Sequence, residues 1–458
     1  METQPSDPHV RWSERPRLPE LQAGRFGRMF PELPPHCANA ETLRRYGDVN
    51  GPLEARDHLD SSLDEDNPRI PAGWPFFGQF IAHDITHDRT PLQEREDVPN
   101  VRNFRSPRLD LECVYAAGPV GQPYLYDIED PDKLLIAHRD FSFEDLPRNE
   151  QGLALVGDPR NDTHLFISQL HLAFLRFHNR VVDGVRNQGV SPDQAFERAR
   201  QMVRWHYQWI VLHEFLPLCV GEDTVTEILE AGPKLCCFSG KPFIPVEFSD
   251  GAYRFGHAQI RREYDVNARL RRVPLFPDLV GVRAVTAQRQ VDWSRLFAFP
   301  DAAPPLASRR IRPTLVPQLL RLPEELVGKP DHPEFKSLAS RDLCRGRSVG
   351  LPSGEAIAQA IGATPFTRDG MEGDPVPGCN GTPLWLYILT EAEAEQNGER
   401  LGTVGGRIVA EVLIELLRLD PTSILSQVGW RPELGKADGS FGITDLLGYA
   451  DVMAGRLR

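Results

Sequence analysis

Gln79 and His83 stand four residues apart in the run Gly78-Gln-Phe-Ile-Ala-His-Asp84. On a helix that spacing places both side chains on one face, where a buried imidazole beside a carboxamide takes and returns a proton near neutral pH. Asp84, the next residue, must point elsewhere. Taken alone, the pair reads more readily as a core histidine hydrogen-bonded to a helix partner. Further clusters follow it: Gly157-Asp-Pro-Arg160 ahead of His171 and the triplet His178-Asn179-Arg180, then Arg254-Phe-Gly-His257, then Asp342-Leu-Cys-Arg345. Imidazole, guanidinium and carboxylate are groups that move protons, steady developing negative charge and hold metals.

Such residues need rigid elements to position them. Pro75 opens an apolar run from Trp74 to Asp84 that reads as a buried helix. From Thr163 to Val185, apolar residues including Leu165, Ile167, Leu170, Phe174 and Val181 mark a central helix. A second long helix, rich in aromatics, is expected from about Pro192 to Leu216 with Pro217 at its end, and another over Gly402 to Leu419. Proline and glycine predict a long loop between Val101 and Tyr126, and a connection with short helical pieces between Pro304 and Pro323. Residues 1–68 read as an irregular N-terminal arm around a main body at 69–458. With no repeat at periods of about 20–50 residues, the simplest fold is mainly α, a single large helical domain with little sheet.

Composition narrows the partners. Of 458 residues, 40% are hydrophobic and 26% charged, enough apolar material for a core. The formal charge of -13 comes with no basic block able to follow a phosphate backbone, so nucleic acid is not an expected partner. Seven scattered cysteines form no C-x-x-C pair and suit a reducing cytoplasm. The polar, proline-rich start carries no recognisable signal peptide and no long apolar run predicts a membrane span, although leaderless export stays open. Oligomeric state leaves no mark in the sequence.

In order and rough spacing, the clusters resemble the animal haem peroxidase superfamily. Its distal helix has a Gln-x-x-x-His-Asp core, its distal arginine sits in a Gly-Asp-x-Arg turn, and its next helix carries Leu-His-x-x-x-x-Arg-x-His-Asn-Arg. Arg254-Phe-Gly-His257 falls where the family keeps its proximal ligand, and Asp342-Leu-Cys-Arg345-Gly-Arg-Ser-Val-Gly-Leu-Pro352 resembles the family's Asn-x-x-Arg-x-Arg-Asp-His-Gly-Leu-Pro segment. The resemblance implies a helical domain holding haem b between central helices, with hydrogen peroxide and a small electron donor as substrates. It assigns His257 to the iron and Asp342 to the other nitrogen of that ring. It makes His83 the distal acid–base group, Arg160 the stabiliser of developing charge, and Gln79 the residue that places water or substrate. Arg254 and Arg345 match arginines near the haem propionates. Asp84, Ser106, Asp110 and Glu112 fall where the family keeps calcium, with Glu112 in place of its usual serine. His171, His178 and Arg180 read as anchors of packing. The Gly402-x-x-Gly405-Gly406 start of the last long helix reads as a tight helix contact rather than an anion site.

Several positions depart from the family pattern. Ala82 and Thr163 replace the carboxylates that esterify haem in mammalian members, and His164 replaces the methionine of one branch, so the haem is expected to be non-covalent. Asp342 replaces the usual asparagine, which should make the proximal imidazole more anionic and lower the iron potential. Organic donors or easily oxidised anions are therefore expected in preference to chloride. Two alternatives stand beside this reading: a fatty-acid dioxygenase-like haem enzyme and a haem binder without turnover. The dioxygenases place a tyrosine three residues before the proximal histidine, where this chain has Arg254. Tyr253, one residue further away, is expected to face differently. A pure binder has no evident need of His83, Gln79 and Arg160 together.

Overall fold

The principal helices are α1 (Ala40–Gly47), α2 (Trp74–Ile85), α3 (Leu165–Asn187), α4 (Pro192–Ile210), α5 (Leu338–Ser348), α6 (Leu384–Gln396) and α7 (Thr403–Leu419). The computed structural model describes residues 24–55, 65–88, 98, 101–139, 143–235, 238, 242–327, 336–366 and 381–450. Among these, sheet is confined to short pairings. The largest has three strands, with Gly24–Gly27 antiparallel to Arg102–Asn103 and parallel to Ile244–Pro245. The mainly α expectation therefore holds.

Aromatic packing fixes the central helices. Phe80 of α2 stacks on Phe174 of α3 at 4.7 Å, and Phe77 meets Tyr207 of α4 edge-on at 6.1 Å. All four rings are buried. Truncating Phe80 to alanine in such a core costs about 3–5 kcal/mol. The N-terminus of α7 shows why two carboxyl–backbone and glycine contacts recur there. A Cβ on Gly405 would lie 2.6 Å from Ile388 of α6, and Glu391 of α6 accepts from the N–H groups of Val404 and Gly405 at 3.0 and 3.1 Å. The glycines serve tight packing, as expected, and the helix end is satisfied by an internal carboxyl group.

Two expectations need correction. The described part of the N-terminal arm is not irregular: it supplies a strand and α1, whose cap Asn39 accepts from Thr42 N–H at 2.8 Å. Helix α1 docks on α5 so closely that a Cβ on Gly47 would lie 2.5 Å from the Ser340 backbone, and Ser340 donates to Arg44 O at 2.9 Å. Because α5 carries Asp342, the arm helps position the site. The helix after Pro192 also does not stop at Pro217. A π turn, Val211–Phe215, leads into a further helical stretch, Leu216–Val220, with Pro217 near its start, where a missing N–H is tolerated.

The loop expected at Val101–Tyr126 contains two single-turn helices, Glu112–Tyr115 and Gly118–Gly121. Cys37 is disulfide-bonded, a pairing the scattered cysteines did not announce. No described helix is long and apolar enough to cross a membrane.

Candidate active site

Helix α2, the turn Pro159–Asp162, the start of α3 and the 3-10 segment Ala252–Gln259 border a cavity of about 370 Å³. That size lies in the range of small-molecule sites, roughly 300–1,000 Å³. Gln79, His83, Arg160, Arg254 and His257 all line it, among apolar walls that include Trp74, Phe76, Phe215 and Phe248. Five residues singled out in the sequence, drawn from three distant segments, thus meet at one cavity.

On the α2 side, His83 is buried and its Nδ1 lies 2.7 Å from Asn161 Oδ1. Asn161 Nδ2 in turn lies 2.9 Å from His171 Nδ1. Burial, and then the Arg160 guanidinium, push His83 down to about 3, so the ring is neutral near pH 7. Arg160 is gripped by Asp158, which accepts from its backbone N–H and Nε at 2.9 Å and from Nη2 at 2.7 Å. Nη2 also donates to the carbonyls of His83 at 3.1 Å and Thr86 at 2.6 Å. Only Nη1 is left without a protein partner among the described residues. Arg105 grips Asp158 from behind, at 2.6 Å. Burial alone would raise Asp158, but Arg160 and Arg105 hold it well below the usual carboxylate range.

The part of the lining formed by Ala252–Gln259 is built differently. His257 Nδ1 lies 2.6 Å from Asp342 Oδ2, and Arg254 Nη1 donates to Asp342 Oδ1 at 3.1 Å. Asp342 is fully buried, whereas 30% of the His257 side chain is exposed. Against its burial, His257, Arg254 and Arg345 keep Asp342 below its ordinary value. The carboxylate is accordingly shared between imidazole and guanidinium, which tempers the anionic character expected of His257.

The residues fit haem. Each histidine commits Nδ1 to a side-chain partner, and neither Nε2 has a hydrogen bond among the described residues, although both rings line the cavity. His257, with a carboxylate behind it, is suited to hold iron. Ala82, Thr163 and His164 also line the cavity. The positions of the mammalian ester links are thus at the wall, and neither carries a carboxylate. Arg254 reaches the cavity, but Arg345 is not part of its lining: its Nε donates to Asp250 at 3.1 Å. The structure thus brings one of the two expected propionate arginines to the site and holds the other behind it.

The four residues expected near calcium come together in the fold. Asp84, Ser106, Asp110 and Glu112 are neighbours, and their oxygens are hydrogen-bonded within the protein. Asp84 accepts from Leu111 and Cys113 N–H at 3.0 and 3.3 Å, and Asp110 accepts from the Ser106 hydroxyl at 2.8 Å. Glu112, longer than the serine it replaces, accepts from Arg105 at 2.9 Å and from Ser106 N–H at 2.8 Å. Among the described residues no three His, Cys, Asp or Glu side chains are grouped to hold a metal. The Arg105 guanidinium stands beside Glu112 as the local cation, and burial with a nearby carboxylate pushes Asp84 up and Asp110 up to about 6.

Sequence reasoning missed Asn161, Asp158 as the clamp on Arg160, and Arg105. Their only signal is adjacency to Arg160 and to the acidic cluster. His178 is structural as expected, bonded to the Tyr115 hydroxyl at 3.0 Å and Asp132 O at 2.8 Å. Tyr253 does line the cavity, contrary to expectation. Its hydroxyl donates to Gly78 O at 3.2 Å and its ring stacks on Phe248 at 4.5 Å.

Residues 93–368 match the family model described as animal haem peroxidase. Similar curated proteins include peroxidase skpo-1 of Caenorhabditis elegans, 25% identical over 46% of this chain and 37% of that protein. Canis lupus familiaris thyroid peroxidase is 29% identical over 45% of this chain and 22% of its own. The chain thus spans little more than a third, or less, of these relatives. Among solved structures, peroxidase A from Dictyostelium discoideum shares the fold at a TM-score of 0.60 and 16% identity, over 85% of this chain and 84% of that one. A fatty acid alpha-dioxygenase of Arabidopsis thaliana shares it at 0.56 and 14%, over 92% and 75%. The matched segment is more than half of the chain and contains Arg160, His257 and Asp342, and the chain belongs to the animal haem peroxidase family.

Proposed function

We propose that this chain is a haem peroxidase that reduces hydrogen peroxide and oxidises an organic or easily oxidised anionic donor. One observation carries the reading: two histidines line one cavity, each with Nδ1 committed, one to a neutral amide and the other to a carboxylate. Haem, when bound, supplies the iron at which peroxide is reduced and through which the donor is oxidised. His257 Nε2 would hold that iron. Neutral His83 would take a proton from the entering peroxide at Nε2 and return it to the departing oxygen, which leaves as water. Arg160 directs Nη1 toward the charge that develops. Gln79 and the cavity mouth orient peroxide or donor.

Ala82 and Thr163 support non-covalent haem, and with Asp342 they support donors other than chloride. Rapid chlorination by the purified protein at neutral pH would overturn that preference. The Cys37 disulfide supports an oxidising compartment rather than the reducing cytoplasm suggested by cysteine spacing. A second reading, fatty-acid oxygenation, draws on Tyr253 in the cavity wall. The bond from its hydroxyl to Gly78 O and its place one residue out of register count against it. Oxygen uptake with a polyunsaturated fatty acid separates the two.

The direct test is the absorption spectrum of the haem-loaded protein before and after hydrogen peroxide. A Soret band that shifts in wild type and far more slowly in Arg160→Ala and His83→Ala supports the scheme. Failure to take up haem ends it.

A further inference from the structure

We infer that Asn161, braced by His171, is a positioning residue that fixes His83 in the one tautomer able to accept a proton from the cavity. The inference rests on the peroxidase reading for its consequence, but its geometry stands independently. Asn161 is fully buried on the turn directly after Arg160, with its backbone N–H on Asp158 O at 3.0 Å. Its side chain spans two histidines, 2.7 Å from His83 Nδ1 through Oδ1 and 2.9 Å from His171 Nδ1 through Nδ2.

A carboxamide oxygen only accepts and its nitrogen only donates. His83 Nδ1 must therefore carry a hydrogen and donate it, which leaves Nε2 bare. His171 Nδ1 must accept, so its own hydrogen sits on Nε2. Were the amide turned over, both histidines would change tautomer. His83 would then present an N–H to the cavity and could not take up a proton. With Oδ1 toward His83 and Nδ2 toward His171, the amide ties the two tautomers together.

His171 is itself held by packing. It is buried on α3, with its ring edge-on to Phe80 at 6.3 Å, and Phe80 stacks on Phe174 of the same helix. The rigid central helix is thus connected through one amide to the group that handles the proton. His171 belongs to this chain of contacts and is more than a packing anchor.

The test has two parts. Nitrogen-15 NMR of the full-length chain labelled at histidine, with the His83 signals assigned by loss in His83→Gln, reads the tautomer without any turnover. The expected result near neutral pH is a protonated Nδ1 and a bare Nε2 in wild type, with mixed tautomers in Asn161→Leu. A proton on Nε2 of wild-type His83 overturns the inference. In the haem-loaded protein, Asn161→Leu should slow the reaction with peroxide by about 10–100-fold, part of the roughly 10²–10⁴-fold effect of an acid–base group. Asn161→Asp, which keeps an acceptor at the same place, should recover most of that loss. The double variant His83→Ala, Asn161→Leu should be no slower than His83→Ala alone.

Equal losses in the leucine and aspartate variants, or a double variant slower by the full leucine factor, would reduce Asn161 to a structural role. Wild-type protein that binds haem but ignores peroxide would defeat the peroxidase reading, while the NMR result would still decide the tautomer.

Discussion

The two walls of the cavity each present a histidine, and they differ in what stands behind it. His83 is buried and backed by a neutral amide at 2.7 Å; His257 is partly open to the cavity and backed by a carboxylate at 2.6 Å. An amide fixes which nitrogen carries the proton without adding charge, which suits a group that must gain and lose a proton in each cycle. A carboxylate feeds electron density into the ring, which suits a lasting bond to a metal. Partner chemistry, more than residue identity, divides the labour.

Exchanging or removing the parts tests that division. The largest contrast is expected between His257→Ala and His83→Ala. The first should lose its hold on haem, read by gel filtration with absorbance at the Soret band. The second should keep haem and slow its reaction with peroxide by about 10²–10⁴-fold in stopped flow. Asp158→Asn comes next, since it loosens Arg160 and leaves two arginines around an uncharged amide. A rate loss of about 10²–10³-fold is expected from the displaced charge stabiliser. Denaturant unfolding should show a stability loss of about 3–5 kcal/mol, as for other buried ion pairs cut on one side.

On the proximal wall the effects are smaller and opposite in sign. Asp342→Asn should raise the haem midpoint potential, and Arg254→Gln, which returns the whole carboxylate to His257, should lower it. Shifts of about 60 mV, a factor of ten in a one-electron equilibrium, are the expected scale. Movement in the same direction would mean that Arg254 does not share Asp342. The smallest expected effect is one of pH. His83 is held at about 3, so it stays neutral and able to accept a proton as pH falls from 7 to about 4. The peroxide rate should stay nearly level over that range. A loss centred near pH 6.5, the value of an unperturbed histidine, would show that His83 is neither buried nor opposed by Arg160 as described.

Much of this architecture was legible in the chain itself. Helical spacing found α2, α3 and α7, and the four-residue step from Gln79 to His83 put both on one cavity wall. The pairing of His257 with Asp342, 85 residues apart, has no local signal and came from the resemblance. Asn161 was missed for a physical reason. It follows Arg160 on a tight turn, where neighbouring side chains diverge and no period marks which one turns inward.

The acidic cluster shows the opposite limit. Residue types suited to calcium were recognised, but spacing does not reveal that Arg105 reaches Glu112 and Asp158 together. Pro217 misled as a helix end because the π turn before it places the proline where no N–H is needed.

The division of labour between the two walls is tested most directly by the iron–imidazole stretching band in resonance Raman spectra of the reduced, haem-loaded protein. The band should be present in wild type and in His83→Ala, absent in His257→Ala, and lower in frequency in Asp342→Asn. A band lost with His83 and kept without His257 would contradict the account.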